Sequence, residues 1–318
     1  LFLHICEAEL YIRCVLSNRL LLVHRTVVEA GTLTAAAHEL GFTVSAVSQQ
    51  LATLETQAGV SLYERVGRGV RPTAAGRLLA ERAGRVLREV AHAEAALADL
   101  REGRTGRVRV LTFHSAGEAL LPQAIAMLRA EHPAVRVLPS VDESPGALRR
   151  LRDAEVDLVL VVEPFGPSAQ PTDDLRRWHL LADPYRLLVP HDHPLARRRK
   201  VPVTALADEP WVVTIGPDDY VRTTTIDLCR RAGFSPRIAA ESDEFPVTQG
   251  YVAAGLGVSL VPVLALGAVR RGVVVRKLSP APPPRQIWLA TRPALLDVPA
   301  VAALAAALVA VAAPATDG

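Results

Sequence analysis

Thr32–Glu55 reads TLTAAAHELGFTVSAVSQQLATLE. Thr32 is placed to cap a short helix in which Leu33, Ala36, Ala37 and Leu40 share one face. Gly41 supplies the conformational freedom needed just past that helix end. Thr43 is placed to cap a second, longer helix running to about Ala58. In it Val47, Leu51, Leu54 and Ala58 recur at spacings of four, three and four, which makes a buried stripe. The opposite face carries Ser45, Ser48 and Gln49, short hydrogen-bonding side chains at i, i+3 and i+4. Two helices, a tight turn and a polar, uncharged outer face are the layout of a helix-turn-helix, whose second helix fits the DNA major groove. Gln and Ser there can read base edges. From these residues alone, the polar face of an ordinary helical hairpin would look the same.

The next stretch separates the two readings. Leu62–Thr73, LYERVGRGVRPT, alternates about Gly67-Arg68-Gly69 and reads as a hairpin with an arginine at its tip. Between Leu62 and Arg77 there are four arginines (Arg65, Arg68, Arg71, Arg77) and one acid, Glu64. A basic hairpin directly after a recognition helix is a wing, which holds phosphates or enters the minor groove.

With these elements in view, the run AAAHELGFTVSAVSQQLATLE…GVSLYERVGRGVRPTAAG resembles the DNA-binding domain of the LysR-type transcriptional regulators. The A-V-S-Q-Q-L, L-x-E-R and T-x-A-G elements carry the resemblance, in that order. It is strong from Leu21 to about Leu100 and diffuse beyond. Residues 1–17 do not match the family's usual start. The resemblance implies a ligand-responsive, sequence-specific regulator. Its candidate DNA contacts are Thr34, Thr43, Ser45, Ser48 and Gln49 on the helices and Arg65, Arg68 and Arg71 on the wing. A supporting helix is expected from about Asn18 to Glu29. His24 within it stands where the family has a large apolar residue, and reads as a packed core histidine.

Composition sets outer limits. The 318 residues allow two or three domains. Half are hydrophobic and few are aromatic, so the core must be built from Ala, Leu and Val. A net charge of +3 is no nucleic-acid signal by itself, and the local imbalance in the wing matters more. Cys6, Cys14 and Cys229 have no zinc-type spacing and read as reduced thiols of a cytoplasmic protein. The opening residues are interrupted by Glu7, Glu9, Arg13 and Arg19, so neither an export signal nor a membrane span is expected.

From Thr73 to about Leu100 the sequence predicts one long helix, roughly 40 Å at 1.5 Å per residue. Leu79, Ala83, Val86, Val90, Ala93, Leu97 and Leu100 form an a/d stripe that predicts a coiled-coil dimer. Leu78 and Leu87 are left to pack on the helix's own domain. Arg101–Gly106, REGRTG, reads as a hinge.

Beyond it the pattern becomes α/β. Strands are expected at Arg107 to Leu111, Val135 to Val141, Val156 to Val162, Tyr185 to Val189, Trp211 to Thr214, Arg237 to Ala240, Val258 to Val261 and Gln286 to Ala290. Helices are expected at Glu118 to Glu131, Ala147 to Ala154, Thr223 to Ala232 and Tyr251 to Leu256, with a closing helix in Val298 to Ala313 buried on the first lobe. Two separate strand-helix-strand units argue for two lobes. The resemblance adds that such a regulatory domain is similar to a type II periplasmic binding protein. Gly106–Val110, His193-Pro194-Leu195-Ala196 and Ala253–Pro262 carry that likeness.

The expected fold is therefore mixed. A winged helix-turn-helix (18–76) is followed by a linker and dimerisation helix (73–105) and a two-lobed α/β regulatory domain (107–314). Lobe I is expected at 107–162 with 294–314, and lobe II at 163–293.

A small-molecule effector is expected between the lobes, with Ser115, Ser144 and Thr214 as its contacts on three strand-end loops. Hydroxyls near helix starts favour an anion, whereas Asp142, Glu143 and Glu163 would repel one. No cofactor or metal is expected: His191-Asp192-His193 reads as a polar turn. No phosphate loop or nucleophile elbow is present, and a His114–Ser115–Asp142 hydrolase would lack an oxyanion site. The implied partners are double-stranded DNA, an effector and further copies of the chain as homodimer and homotetramer. RNA polymerase is a further partner that the resemblance allows, and a membrane is not one.

Overall fold

A computed structural model describes residues 16–66, 69–101, 106–142, 146–163, 174–216 and 219–313. They divide into two compact units, the described residues up to 101 together with Asp153–Glu155, and the remainder from residue 106.

In the first unit, α1 (Asn18–Ala30), α2 (Leu33–Leu40) and α3 (Val44–Ala58) enclose a core of Val23, Val27, Ala36, Ala37, Val47 and Leu51. The expected caps form: the Thr32 and Thr43 hydroxyls accept from the Ala35 and Ala46 amides, at 3.1 and 3.2 Å. Gly41 is left-handed at φ 68°, and the Phe42 amide then donates to Ala37 O at 2.9 Å. β1 (Tyr63–Val66) and β2 (Gly69–Pro72) pair antiparallel with Val66 opposite Gly69, which makes the hairpin.

α4 (Ala74–Arg101) follows directly, and the seven-residue stripe expected on it divides between two faces. Leu79, Ala83 and Leu87 turn inward onto Leu20, Leu21, Leu54 and Leu62. Val86 and Leu97 are 45% and 67% exposed. Leu78, expected to pack on its own domain, is instead 55% exposed. The first turns of α4 thus complete the helix-turn-helix core, and the outward seam begins later, at Val86. The Leu100 side chain lies outside the described residues.

The second unit has two sheets. The first runs β4-β3-β5-β13-β6, from β3 (Arg107–Thr112), β4 (Arg136–Val141), β5 (Leu158–Glu163), β6 (Arg176–Asp183) and β13 (Arg285–Thr291). One side is covered by α5 (His114–Ala119), α6 (Leu121–Glu131) and α10 (Pro299–Ala312), the other by α7 (Ala147–Arg152). α10 buries Val301, Leu304 and Leu308 in this core, as the closing helix was expected to do. No helix among the described residues is long and apolar enough to cross a membrane.

The second sheet runs β11-β7-β12-β8, from β7 (Tyr185–Pro190), β8 (Lys200–Pro202), β11 (Ser259–Pro262) and β12 (Val273–Ser279). A parallel pair, β9 (Pro210–Val213) and β10 (Arg237–Glu241), joins it through a Trp211–Val258 bridge. α8 (Tyr220–Arg231) and α9 (Phe245–Ala253) pack on opposite sides. A Cβ at Gly257 would lie 2.4 Å from Pro210 O, so the bridge requires glycine there.

Several expectations are corrected. The single helix from Glu118 is two, α5 and α6, since Pro122 has no amide to continue the earlier turn. α9 starts at Phe245, not Tyr251, with Pro246 in its first turn. β6, β8 and β12 were not expected. Because β6 and β13 belong to the first sheet, the chain passes between lobes at Pro184 and again within 280–284, not near residues 162 and 293.

Candidate DNA-reading face and effector site

The head of α3 carries the reading face. Thr34, Thr43, Ser45, Ser48 and Gln49 are all exposed, while Val47, Leu51 and Leu54 are buried on the opposite side of the helix. Thr43 and Ser45 share a hydrogen bond of 3.0 Å, so Thr43 both caps the helix and holds Ser45. Val44 and Phe42 are exposed beside them, and the Arg19 guanidinium lies 5.3 Å from the Phe42 ring centre. These apolar groups were missed because single exposed hydrophobes leave no periodic signal.

A polar lattice fixes the wing to the helices. Glu55, on the last turn of α3, accepts from the Leu62 and Tyr63 amides at 2.7 and 3.0 Å. Thr73 accepts from the Gly76 amide at 3.1 Å and donates to Ser61 O at 2.9 Å. His24 Nδ1 and the Tyr63 hydroxyl are 2.7 Å apart, and His24 Nε2 donates to Gly76 O at 2.9 Å. Burial lowers the His24 pKa below its ordinary value, so the ring is a neutral tie between α1, the wing and α4. Arg65 and Arg71 are exposed on the wing, and Arg68 lies outside the described residues. Arg71 is paired with Glu64 at 2.9 Å, a surface contact that DNA phosphate can displace at small cost. Arg77 is spent internally, donating to Pro72 O at 2.8 Å.

In the regulatory unit, Ser115 is 1% exposed and accepts from Arg285 at 2.6 Å. Arg285, also buried, holds Asp183 at 2.8 Å, and its guanidinium lies 5.1 Å from the Phe113 ring centre. The other Asp183 oxygen accepts from the Leu264 amide of the second lobe at 3.1 Å. This buried pair at the crossing strands was not legible in sequence, because Asp183 and Arg285 are 102 residues apart. Thr214 is buried too and donates to Asp219, the residue that caps α8. The helix start nearest Thr214 therefore already holds the chain's own carboxylate. Asp142 is paired with Arg150 at 2.9 Å. Ser144 and Glu143 lie outside the described residues, as does the Glu163 side chain.

His193, read from sequence as part of a polar turn, caps a short 3₁₀ turn by accepting from the Leu195 amide and contacts Glu209 at 3.2 Å. Among the described residues no three His, Cys, Asp or Glu side chains are grouped to hold a metal ion.

A winged helix-turn-helix followed by a long helix and a two-lobed α/β unit defines a DNA-binding regulator that carries its own ligand-binding half. Residues 19–77 match the bacterial regulatory helix-turn-helix protein, lysR family, and residues 101–313 match the LysR substrate binding domain. The chain belongs to the LysR family of transcriptional regulators, proteins that couple DNA binding to a small-molecule signal.

Among its relatives is a probable hydrogen peroxide-inducible genes activator of Mycobacterium leprae, 31% identical over 84% of this chain and 85% of that protein. The transcriptional dual regulator GltC of Bacillus subtilis is 29% identical over 69% of this chain and 71% of its own. Full-length CbnR in complex with target DNA shares the fold at a TM-score of 0.66 and 20% identity, over 93% of this chain and 100% of that one.

Proposed function

We propose that this regulator reads DNA with Thr34, Thr43, Ser45, Ser48 and Gln49, holds phosphate or the minor groove with Arg65, Arg68 and Arg71, and senses a small effector between the lobes through Ser115, Ser144 and Thr214. The observation that carries the effector reading is the buried Asp183–Arg285–Ser115 network, which joins both crossing strands to the Leu264 amide of the second lobe. A ligand that competes for Arg285 acts on the partner of Asp183, whose other oxygen links the lobes through the Leu264 amide. Arg285 places a guanidinium on Ser115, which favours an effector with a carboxylate or phosphate. The regulatory domain of Synechocystis CcmR, which resembles this one at a TM-score of 0.57, was solved in complex with 2-PG.

Regulation without catalysis follows from the same geometry. The Ser115 hydroxyl is held by a guanidinium, which cannot accept its proton, so it is unsuited to nucleophilic work. A peroxide-sensing role needs a thiolate. Cys229, the one cysteine among the described residues, is buried with its thiol pushed up to about 11, so it stays protonated.

The exposed seam of Val86, Ala93 and Leu97 supports a homodimer through α4. Exposed Met127, Leu138, Val141 and Ile238 on α6, β4 and β10 support further pairing of regulatory halves into a homotetramer. A contact with RNA polymerase and a cytoplasmic location complete the reading.

The test is calorimetric titration of the full chain and of Ser115→Ala with a panel of acids, amines and neutral metabolites. The variant should fold, bind operator DNA and lose affinity for whichever compound binds the parent. A compound held equally well by both would remove Ser115 from the site.

A further inference from the structure

The register of the second lobe brings like charges together. β12 pairs parallel with β8 so that Lys277 stands opposite Lys200. On its other side β12 pairs antiparallel with β7, with Arg276 opposite Leu187, and the next step of that ladder sets Lys277 level with Arg186. Leu187, Val201 and Leu278 all point into the core beneath α8. Arg186, Lys200 and Lys277 therefore share the opposite face, one per strand across three adjacent strands. With Arg199, Val275 and Arg276 they line a depression of about 370 Å³ that contains no acidic side chain.

Like charges directly opposite one another destabilise a sheet. Elsewhere this chain pairs its guanidiniums with carboxylates, as in Arg109–Asp157, Arg222–Glu241 and Arg285–Asp183. Here, among the described residues, none of the five cations has a carboxylate partner. Arg186 and Arg276 donate only to main-chain carbonyls. A concave, uniformly cationic wall concentrates anions. Its volume falls in the range of small-ligand sites.

We propose that this depression binds a small polyanion, a molecule carrying at least two phosphate or carboxylate groups. Lys200 and Lys277 would act as point charges and Arg186 and Arg199 as bidentate forks. None of these residues belongs to the effector site proposed above, and the inference does not depend on that site.

Lys200 and Lys277 are the only lysines in the chain, which makes the test specific. The full chain is treated with an amine-acylating reagent, with and without sodium tripolyphosphate, and modification at each lysine is followed by peptide mass spectrometry. Tripolyphosphate should slow acylation of both. In titration calorimetry, K200Q/K277Q should bind it about tenfold more weakly for each lysine removed, whereas K200R/K277R should keep most of the affinity. Without anion at low salt, the glutamine variant should melt no lower than the parent, because it loses repulsion and no contact. Citrate in place of tripolyphosphate distinguishes a carboxylate ligand from a phosphate one. The proposal is overturned if neither lysine is protected, if K200Q/K277Q binds tripolyphosphate as well as the parent, or if random duplex DNA protects the lysines better than either small anion.

Discussion

Gly76→Ala sets two physical effects against each other at one atom. Gly76 lies in the first turns of α4, where alanine is the better helix former by about 0.8–1 kcal/mol. Helix propensity alone therefore predicts stabilisation. A Cβ at this position, however, would lie 2.2 Å from Leu62 O, 3.1 Å from its carbonyl carbon and 3.3 Å from Pro72 Cβ. Ordinary carbon–oxygen contacts are about 3.3 Å or more, so helix and wing must part by roughly 1 Å. The Thr73 amide bond to Leu62 O, now 2.9 Å, then stretches beyond hydrogen-bonding range, and so does the 2.9 Å bond from His24 to Gly76 O. Two buried hydrogen bonds at about 0.5–1.5 kcal/mol each, with an overpacking penalty of about 1–3 kcal/mol, outweigh the propensity gain. The expected result is a loss of roughly 1–5 kcal/mol, confined to the N-terminal unit. Amide exchange followed by mass spectrometry reads it: exchange at Leu62, Thr73 and the start of α4 should accelerate, and operator affinity should fall. Trp178, Trp211 and Trp288 all lie in the C-terminal unit, so their fluorescence melt should not move and serves as the control. Slower exchange at these amides with unchanged DNA affinity would refute the steric argument.

Other consequences follow from the same structure. Gln49→Ala should cost about 1–3 kcal/mol on the operator and little on random DNA in a titration at fixed salt, and equal losses on both would show that this face does not read bases. Val86→Asp with Val90→Asp places charges in the exposed seam of α4, and sedimentation should show a smaller species; an unchanged oligomer would move the interface elsewhere. The lowered pKa of His24 sets a pH dependence. The unfolded chain takes up this proton near 6.5 and the native ring resists it, so His24 contributes stability that is whole above pH 6.5 and lost as the pH falls below it toward the folded value. Stability of the N-terminal unit should therefore decline on acidification, more steeply in the parent than in His24→Phe; parallel pH curves would assign the decline to other groups.

The parts of this molecule that sequence revealed are those whose signal is local. Thr32, Gly41 and Thr43 announce the helix-turn-helix because caps act over three or four residues, and the Gly67-Arg68-Gly69 tip announces the wing because hairpins close over two. The division of the α4 stripe was illegible because Leu79 and Ala83 satisfy a heptad and a domain core equally well. The choice between them depends on Leu20, Leu21 and Leu54, which lie far off in the chain. The lobe boundaries failed for a related reason. β6 was not read as a strand and β13 looks like any other, and only their pairing with each other across about a hundred residues assigns them to the first sheet.

The proposed effector site shows why pairing at a distance matters for function as well as fold. Ser115 looked like an open hydroxyl at the start of a helix, which describes its neighbours in sequence. Its partner in space is a buried guanidinium from the far end of the domain. A buried ion pair such as Asp183–Arg285 is weak support for stability, because the desolvation of both groups offsets most of their attraction. Its position is more informative than its strength. Asp183 ends the strand that leaves the first lobe, Arg285 begins the strand that returns to it, and the remaining Asp183 oxygen is held by the second lobe through the Leu264 amide. Of these bonds the one from Leu264 joins the lobes, so a change in how the lobes meet acts on Asp183, the partner of Arg285. A ligand that offers Arg285 a competing carboxylate or phosphate would change the same balance from the other direction, which is the differential contact a signal needs if it is to shift a population.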